Sequence, residues 1–571
     1  MRLRLLTFTA VALCLIGPAT VADATTTAQD AANAAASTDL LANPRGCGAV
    51  GSALDGVPVE DMIRVEGFGV AVWPVDTANP EAQAWFDHGV RLRWAFEHKE
   101  AARAFRRASL IDPECGMCAW GEAWALGPNL NGGGNDEESL REGRRLAQVA
   151  RRKAGGATAT QRQMIDALIQ RYSGSKASQG VRFARAMDRI ARRLPNDPMI
   201  AAVTADAWML QADEWWNEDG TAKDRGITRA MQILETSLAG APNDPGTIHL
   251  YIHLTEWSDD PHKAIPYGER LALLTPSASH LVHMPSHTFY RVGRYKDAMR
   301  SNVNAVALDK RYDELARPPG GIPEMRLHAH NIHFGMGGAL MAGGAEEGLV
   351  LADGFLATYP DIAIDNLWRQ LMANDAYALY GRFGSPAQVA ALAEPPADRP
   401  LLRASWRYGR GEAAARAGDA PAVRAEADAI KAIREAWVID KDHTEEMKLF
   451  MEVSQRVLEG RAAMMESNAP AAIAAFTRAA EIQGMEEEGG DPPILWYPTR
   501  RSLAAAMLAS GDATGAKAKI EELLTDWPMD PYSYFVLAEA EAALGNAAAA
   551  DAARAQARVE WIGGTMSLAV A

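Results

Sequence analysis

Nine of the twelve histidines lie between His249 and His333, a small fraction of a 571-residue chain. Their spacing is ordered. His249 and His253 are four residues apart, His283 and His287 four, His330 and His333 three, and His280 precedes His283 by three. On a helix, residues three or four apart share a face, so each pair can present two imidazoles to one point. Neutral imidazole is the commonest protein metal ligand, and an all-imidazole set suits copper or zinc rather than the oxygen-seeking calcium and magnesium. The seven residues His249, His253, His280, His283, His287, His330 and His333 are therefore candidate ligands for one or two ions. Six imidazoles divided three and three would make a dicopper-like arrangement.

Other groups in this window have chemistry to offer such an ion. Glu256 is a candidate general base or carboxylate ligand, and Tyr290 a second candidate catalytic group. Arg291 is placed to bind a substrate carboxylate, and Trp215 to wall one end of a binding groove. The bland readings are a polar structural core, an anion or peptide site using charged imidazoles, Trp215 as core packing, and Arg291 as an exposed surface charge.

Such residues converge only if a scaffold repeats. In EAARAFRRASLIDP, residues Ala101, Phe105, Ala108 and Pro113 sit at offsets 0, 4, 7 and 12. The frame returns at Ala230/Leu234/Ser237/Pro242, at Ala264/Gly268/Leu271/Pro276 and at Ala516/Ile520/Leu523/Pro528, with a partial copy at Ala472/Phe476/Ala479. Ala230, Ala264 and Ala298 are 34 residues apart each time. This is the second helix of a tetratricopeptide (TPR) hairpin, where small residues admit close packing and proline closes the helix. Alternating apolar runs are absent, so the expected fold is an all-α, TPR-like helix-hairpin solenoid, a right-handed superhelix with a concave groove. The first helix of each hairpin lines that groove. With Ala264 as repeat position 20, His249, His253 and Glu256 fall at positions 5, 9 and 12. His280, His283, His287 and Tyr290 fall at 2, 5, 9 and 12 of the next repeat. With Ala329 as position 1, His330 and His333 fall at 2 and 5 of a third. All seven histidines then face one patch of the groove, while His262 and His328 are peripheral. Pro285 either kinks the helix that carries His280 to His287 or opens a helix starting later.

The segments HLVHMPSHTFYRVGRY (280–295), HNIHF (330–334) and WYPTRRSLAAAML (496–508) resemble a large group of exported bacterial tetratricopeptide-repeat proteins over most of the chain. That resemblance implies the fold and leaves the function open.

The N-terminus, MRLRLLTFTAVALCLIGPATVADA, has a positive start, a short apolar stretch and small residues at a cleavage position, as a secretory signal does. The expected product is periplasmic or secreted. We divide the chain into a signal peptide (1–24), a leader (25–45), N-terminal and central repeats with the His-rich groove (46–385) and C-terminal repeats (386–571). Loops are expected at 127–136 and 315–323, where Gly and Pro cluster. No later stretch is apolar enough to span a membrane. A net charge of −15 argues against nucleic acid as a partner. Of Cys47, Cys115 and Cys118, the close pair Cys115 and Cys118 is the candidate disulfide, with an inert pair or redox chemistry as alternatives. Phosphate loops, nucleophile elbows and zinc-protease helices are absent. The acidic run Glu486–Glu488 reads as a solvated loop. The function expected is a metal site, either in a copper- or zinc-dependent oxidoreductase or hydrolase acting on a small or peptidic substrate or as a structural, storage or carrier site. The alternative is a scaffold whose groove binds a peptide or protein partner.

Overall fold

The computed structural model describes residues 56–212, 214–217, 220–438, 444–486 and 495–571. The signal peptide, the leader, Cys47 and most of the acidic run lie outside the described residues. The helix Ala469–Glu486 leads up to that run.

Helices follow one another along the whole described chain, each packed on the next, and first helices of successive hairpins also touch. Among the described residues the sole β contact is the bridge Trp216–Ala222. The fold is a TPR-like solenoid. Its cause is visible in the repeat frame: Ala101, Phe105, Ala108, Ala230, Leu234, Ala264, Leu271, Ala516, Ile520 and Leu523 are all buried. Small residues there let second helices press against the first helices of their own and the following repeat, and burial of that stripe holds each hairpin.

Capping fixes where the site-bearing helices begin. Pro245 opens the helix Pro245–Thr255, and the Asp244 side chain accepts from Thr247 N ahead of it, satisfying an amide that would otherwise lack a partner. The next repeat is interrupted. Ser279–His283 ends at Met284, and Pro285 starts a second piece, Pro285–Arg291. A proline cannot donate the hydrogen bond that would continue the first piece, and it is tolerated at the first position of the second. The third helix, His328–Ala342, starts one residue earlier than the repeat frame suggests. The loop at 127–136 runs from the end of Gly116–Leu126 to the start of Glu137–Arg152. The expected loop at 315–323 is shorter, because Tyr295–Ala316 extends into it and stops at Arg317 in the left-handed region.

Two apolar clusters make up the core, one spanning Met62 to Met284 with Tyr312, Ala316 and Met325, the other spanning Phe289 to Ala571. The second cluster runs without a break through 385–400, where the short helix Pro386–Ala391 sits. The clusters meet at the proline-broken segment Ser279–Arg291, which carries three of the candidate ligands, His280, His283 and His287. The last repeats return to this region. Tyr295 Oη donates to the Pro528 carbonyl at 3.1 Å, Lys296 N to Glu560 at 3.1 Å, and Ile562 N to the Ala342 carbonyl at 2.9 Å. No helix among the described residues is long and apolar enough to cross a membrane.

Candidate metal centre

The structure brings six of the seven histidines together as two adjoining triads. His249, His253 and His280 offer one nitrogen each within 4.8 Å of one another, and so do His283, His287 and His330. The triads touch through His253 and His287, whose ring centroids are 5.3 Å apart, and through His280 and His283, also at 5.3 Å. Three separate helices and the proline break are needed for this. His280 joins the pair on Pro245–Thr255, while His283 and His287 face His330 on the following repeat.

The partners of three rings fix their tautomers. His249 Nδ1 lies 2.5 Å from the Trp94 carbonyl. A carbonyl only accepts, so Nδ1 carries the proton and Nε2 is bare. His287 Nδ1 lies 2.7 Å from a Glu256 carboxylate oxygen, which assigns its proton in the same way. His283 Nδ1 lies 2.6 Å from Asn302 Oδ1, and Asn302 Nδ2 donates to the Ala298 carbonyl at 2.7 Å. That second bond orients the amide, so Asn302 presents its oxygen and His283 donates. The bare Nε2 atoms of His283 and His287 then face each other at 2.9 Å. His249 Nε2, His253 Nε2 and both ring nitrogens of His280 have no hydrogen-bond partner among the described residues.

Four of these imidazoles are held neutral. Burial pushes His249 down to about 3, and burial together with neighbouring imidazoles holds His253, His280 and His283 well below the ordinary histidine range. Neutral rings disfavour a charged-imidazole anion site, and their bare nitrogens could serve as ligands to a cation.

Each triad is backed by one phenylalanine. Phe96 stands 4.2 Å from His249, 5.5 Å from His253 and 5.2 Å from His280 by ring centroids. Phe334 stands 4.9 Å from His283, 4.5 Å from His287 and 4.9 Å from His330. Phe96 belongs to the turn between Pro80–Trp94 and His98–Ile111 and has φ of 58°, a left-handed conformation costly for a side chain with a Cβ.

The remaining candidates, Glu256 excepted, go elsewhere. His333 turns to the next repeat, with Nε2 3.4 Å from a carboxylate oxygen of the buried Asp375; it belongs to neither triad. Glu256 stays at the centre: Oε2 lies 2.7 Å from His287 Nδ1, Oε1 accepts from Trp257 Nε1 at 2.6 Å, and with His253 and His287 it forms a third group whose ligand atoms lie within 4.8 Å of one another. Tyr290 stands edge-on to Tyr295 at 5.2 Å and to Phe334 at 6.3 Å, which makes it part of the wall behind the second triad. The Arg291 guanidinium lies over the Trp257 ring at 3.1 Å. Trp215 and Trp216 are half-buried and cap helix ends, donating from Nε1 to the Met209 and Leu254 carbonyls. Cys115 and Cys118 form a disulfide. His328 is buried on Asp309 at 2.9 Å, and His262 sits in the short helix Pro261–Ala264.

The sequence reading missed Trp94, Phe96, His98 and Asn302. The first three lie some 150 residues ahead of the histidine cluster and reach it only through the fold.

No protein-family model matches the chain, and no characterised protein matches it in sequence. Among solved structures, the chain is similar to the human IFIT1 dimer with m7Gppp-AAAA at a TM-score of 0.30 and 11% identity, over 85% of this chain and 90% of that one. It is similar to the yeast Tom70 crystal structure at 0.25 and 13%, over 84% and 90%. It is similar to the APC/C hetero-tetramer Cut9–Hcn1 at 0.23 and 10%, over 81% and 90%. The likeness is one of helical-repeat fold alone.

Proposed function

We propose that the protein is a metalloprotein binding two ions of copper or zinc, one in each histidine triad, and that it acts as an enzyme on a small substrate. One observation carries this reading. In His249, His283 and His287 an oxygen behind the ring faces the Nδ1–H, and the bare Nε2 is aimed into the triad. Metal-ligating histidines are held this way, by a carbonyl, an amide oxygen or a carboxylate that sets tautomer and direction. A merely polar core would pair donors with acceptors; here two acceptors, His283 Nε2 and His287 Nε2, are pressed together, and a cation between them turns a repulsion into coordination.

Three imidazoles per ion leave a coordination position for water or substrate, as catalytic sites require. Copper in both triads would support oxidoreductase chemistry, and zinc would support hydrolysis. The Cys115–Cys118 disulfide suits an exported protein in an oxidising compartment. The competing scaffold reading has less room. The segment ending at Ala571 already occupies polar groups of three helices: Arg382 donates to the Val570 carbonyl at 2.7 Å, and Arg461 and Ser502 donate to Ala571. An extended peptide would have to displace the chain's own segment there.

The test is elemental analysis of protein purified without chelators or a metal-affinity column, beside the His283→Ala/His287→Ala variant. Near two ions per chain, falling to one in the variant, is the expected result. No copper or zinc after reconstitution with either ion overturns the proposal.

A further inference from the structure

The helix that supplies the Trp94 carbonyl also carries Arg93, and the surroundings of Arg93 are unusual. Its side chain is fully buried, with Nη2 bonded to the equally buried Asp206 at 3.2 Å, while Nε and Nη1 have no partner among the described residues. Arg171 is 3% exposed. Its Nη2 donates to the Pro128 carbonyl, its guanidinium lies 5.0 Å from the Phe183 ring, and Nη1 has no partner. No described carboxylate lies within ion-pair distance of Arg171. Both arginines lie at the C-terminal end of the helix Gly116–Leu126, Arg93 at 4.7 Å from the Trp124 ring and Arg171 on the carbonyl of Pro128, two residues past that end. His98, on the other side of Phe96 at 5.2 Å, feels Arg93, Arg326, His249 and Arg171, and neither of its ring nitrogens has a hydrogen-bond partner.

A buried cation without a counter-charge is expensive, and buried charges are ordinarily paired. In this cluster Asp206 compensates Arg93 and nothing described compensates Arg171. Three unpartnered guanidinium N–H groups and an unpartnered imidazole therefore gather in a region that lacks one negative charge. We infer that Arg93, Arg171 and His98 form a binding site for an oxyanion ligand, a carboxylate or phosphate group, beside the His249/His253/His280 triad. The planar guanidinium forks match the paired oxygens of such a group.

The position of the site gives it a use. The Arg93 guanidinium is 6.0 Å from the Phe96 ring, and the Phe96 ring packs on all three histidines of the first triad. A substrate anchored by its anionic end at the arginines would lie one ring away from the nearer ion. Arg326, which is exposed, marks the solvent side. The loop Gly127–Asp136 closes on it so tightly that a Cβ on Gly133 would come within 2.9 Å of Arg326 Nη1. The site is built from residues outside both triads, so it stands whether or not ions fill them.

The experiment uses the full chain, metal-loaded and metal-free, with sodium acetate, sodium succinate and inorganic phosphate as probes against sodium chloride at matched ionic strength. Unfolding temperature and tryptophan fluorescence are read, since Trp124 lies 4.7 Å from the Arg93 guanidinium. Saturable stabilisation and a fluorescence change by an oxyanion beyond chloride are expected in both forms. Arg171→Gln should weaken the response by about tenfold or more, as loss of a charge-assisted hydrogen bond does, while metal content stays at the wild-type value. Stronger binding of the carboxylates identifies an organic acid as the ligand, and stronger binding of phosphate a phosphorylated one. Should Arg171→Gln fail to fold, the exposed Arg326→Gln decides, with a several-fold weakening expected. Equal responses to oxyanions and chloride, or a response unchanged in both variants, overturn the site without touching the metal proposal.

Discussion

The Nε2 atoms of His283 and His287 stand 2.9 Å apart while the other nitrogen of each ring donates its proton away from the pair. Asn302 and Glu256 stand behind the two rings, and on the proposed metal reading they would set affinity through the orientation of those rings. Asn302→Leu removes the acceptor behind His283 and should lower affinity at the second triad by about 10–100-fold. The first triad keeps its own support, the Trp94 carbonyl. Calorimetric titration with zinc should therefore resolve one weakened and one unchanged site; equal weakening of both would show that the triads are not separate.

His280 and His333 make opposite predictions although both were candidate ligands by register. His280→Ala removes one of three nitrogens from the first triad and should cut the metal content from two ions towards one. His333→Ala should leave two ions bound. Its cost is in stability, because Asp375 is fully buried and loses its imidazole; about 1–3 kcal/mol is expected for a buried polar group deprived of its partner. Metal analysis and urea unfolding of the two variants separate these roles, and a loss of metal in His333→Ala would contradict the assignment.

The pattern of intra-helix spacing shows which part of this centre was readable beforehand. His249/His253 and His283/His287 each stay within one triad, as pairs one helical turn apart should. His330 and His333 part company, because their helix has a neighbour on each side: the proline-broken segment takes His330, and Asp375 on Leu367–Phe383 takes His333. Spacing along one helix says which residues share a face but not which neighbour meets each edge of it. The 34-residue frame was legible for a related reason, since Ala230, Ala264 and Ala298 must all be small to admit the packing. Phe96 and Asn302 carry no such mark. A phenylalanine in a turn and an asparagine inside a long helix are ordinary until the fold sets them against histidines.

Phe96 offers a test by comparison of two truncations. Phe96→Ala and Phe96→Gly lose the same ring, and each should cost about 3–5 kcal/mol from the buried aromatic. At φ of 58° glycine relieves backbone strain that alanine retains. The glycine variant should therefore be the more stable by about 1 kcal/mol, reversing the usual order. Both should release the first-triad ion to a chelator faster than wild type. An alanine variant more stable than the glycine one would show that the turn relaxes once the ring is gone.

The neutral imidazoles also predict a pH response. His88 and His249 are each held down to about 3 by burial, and His98, His253, His280 and His283 are lowered for the same leading reason. In the unfolded chain all of these titrate near 6.5. Between the two values the unfolded chain binds protons that the folded one refuses, so stability rises with pH in that window and falls on acidification. Each such histidine contributes a slope of ~1.4 kcal/mol per pH unit. Glu97, raised to about 8 by burial, and Asp87, Glu100, Glu122, Asp244, Asp313, Asp375 and Glu560, also raised by burial, act in the opposite sense and reduce the net slope. The metal-free protein should thus lose its urea midpoint steeply as pH drops below 6.5. Bound ions compete with protons for the same lone pairs, so the metal-loaded protein should hold its midpoint to lower pH. A metal-free midpoint that stays flat from pH 6.5 to 5 would count against neutral imidazoles at His249, His253, His280 and His283.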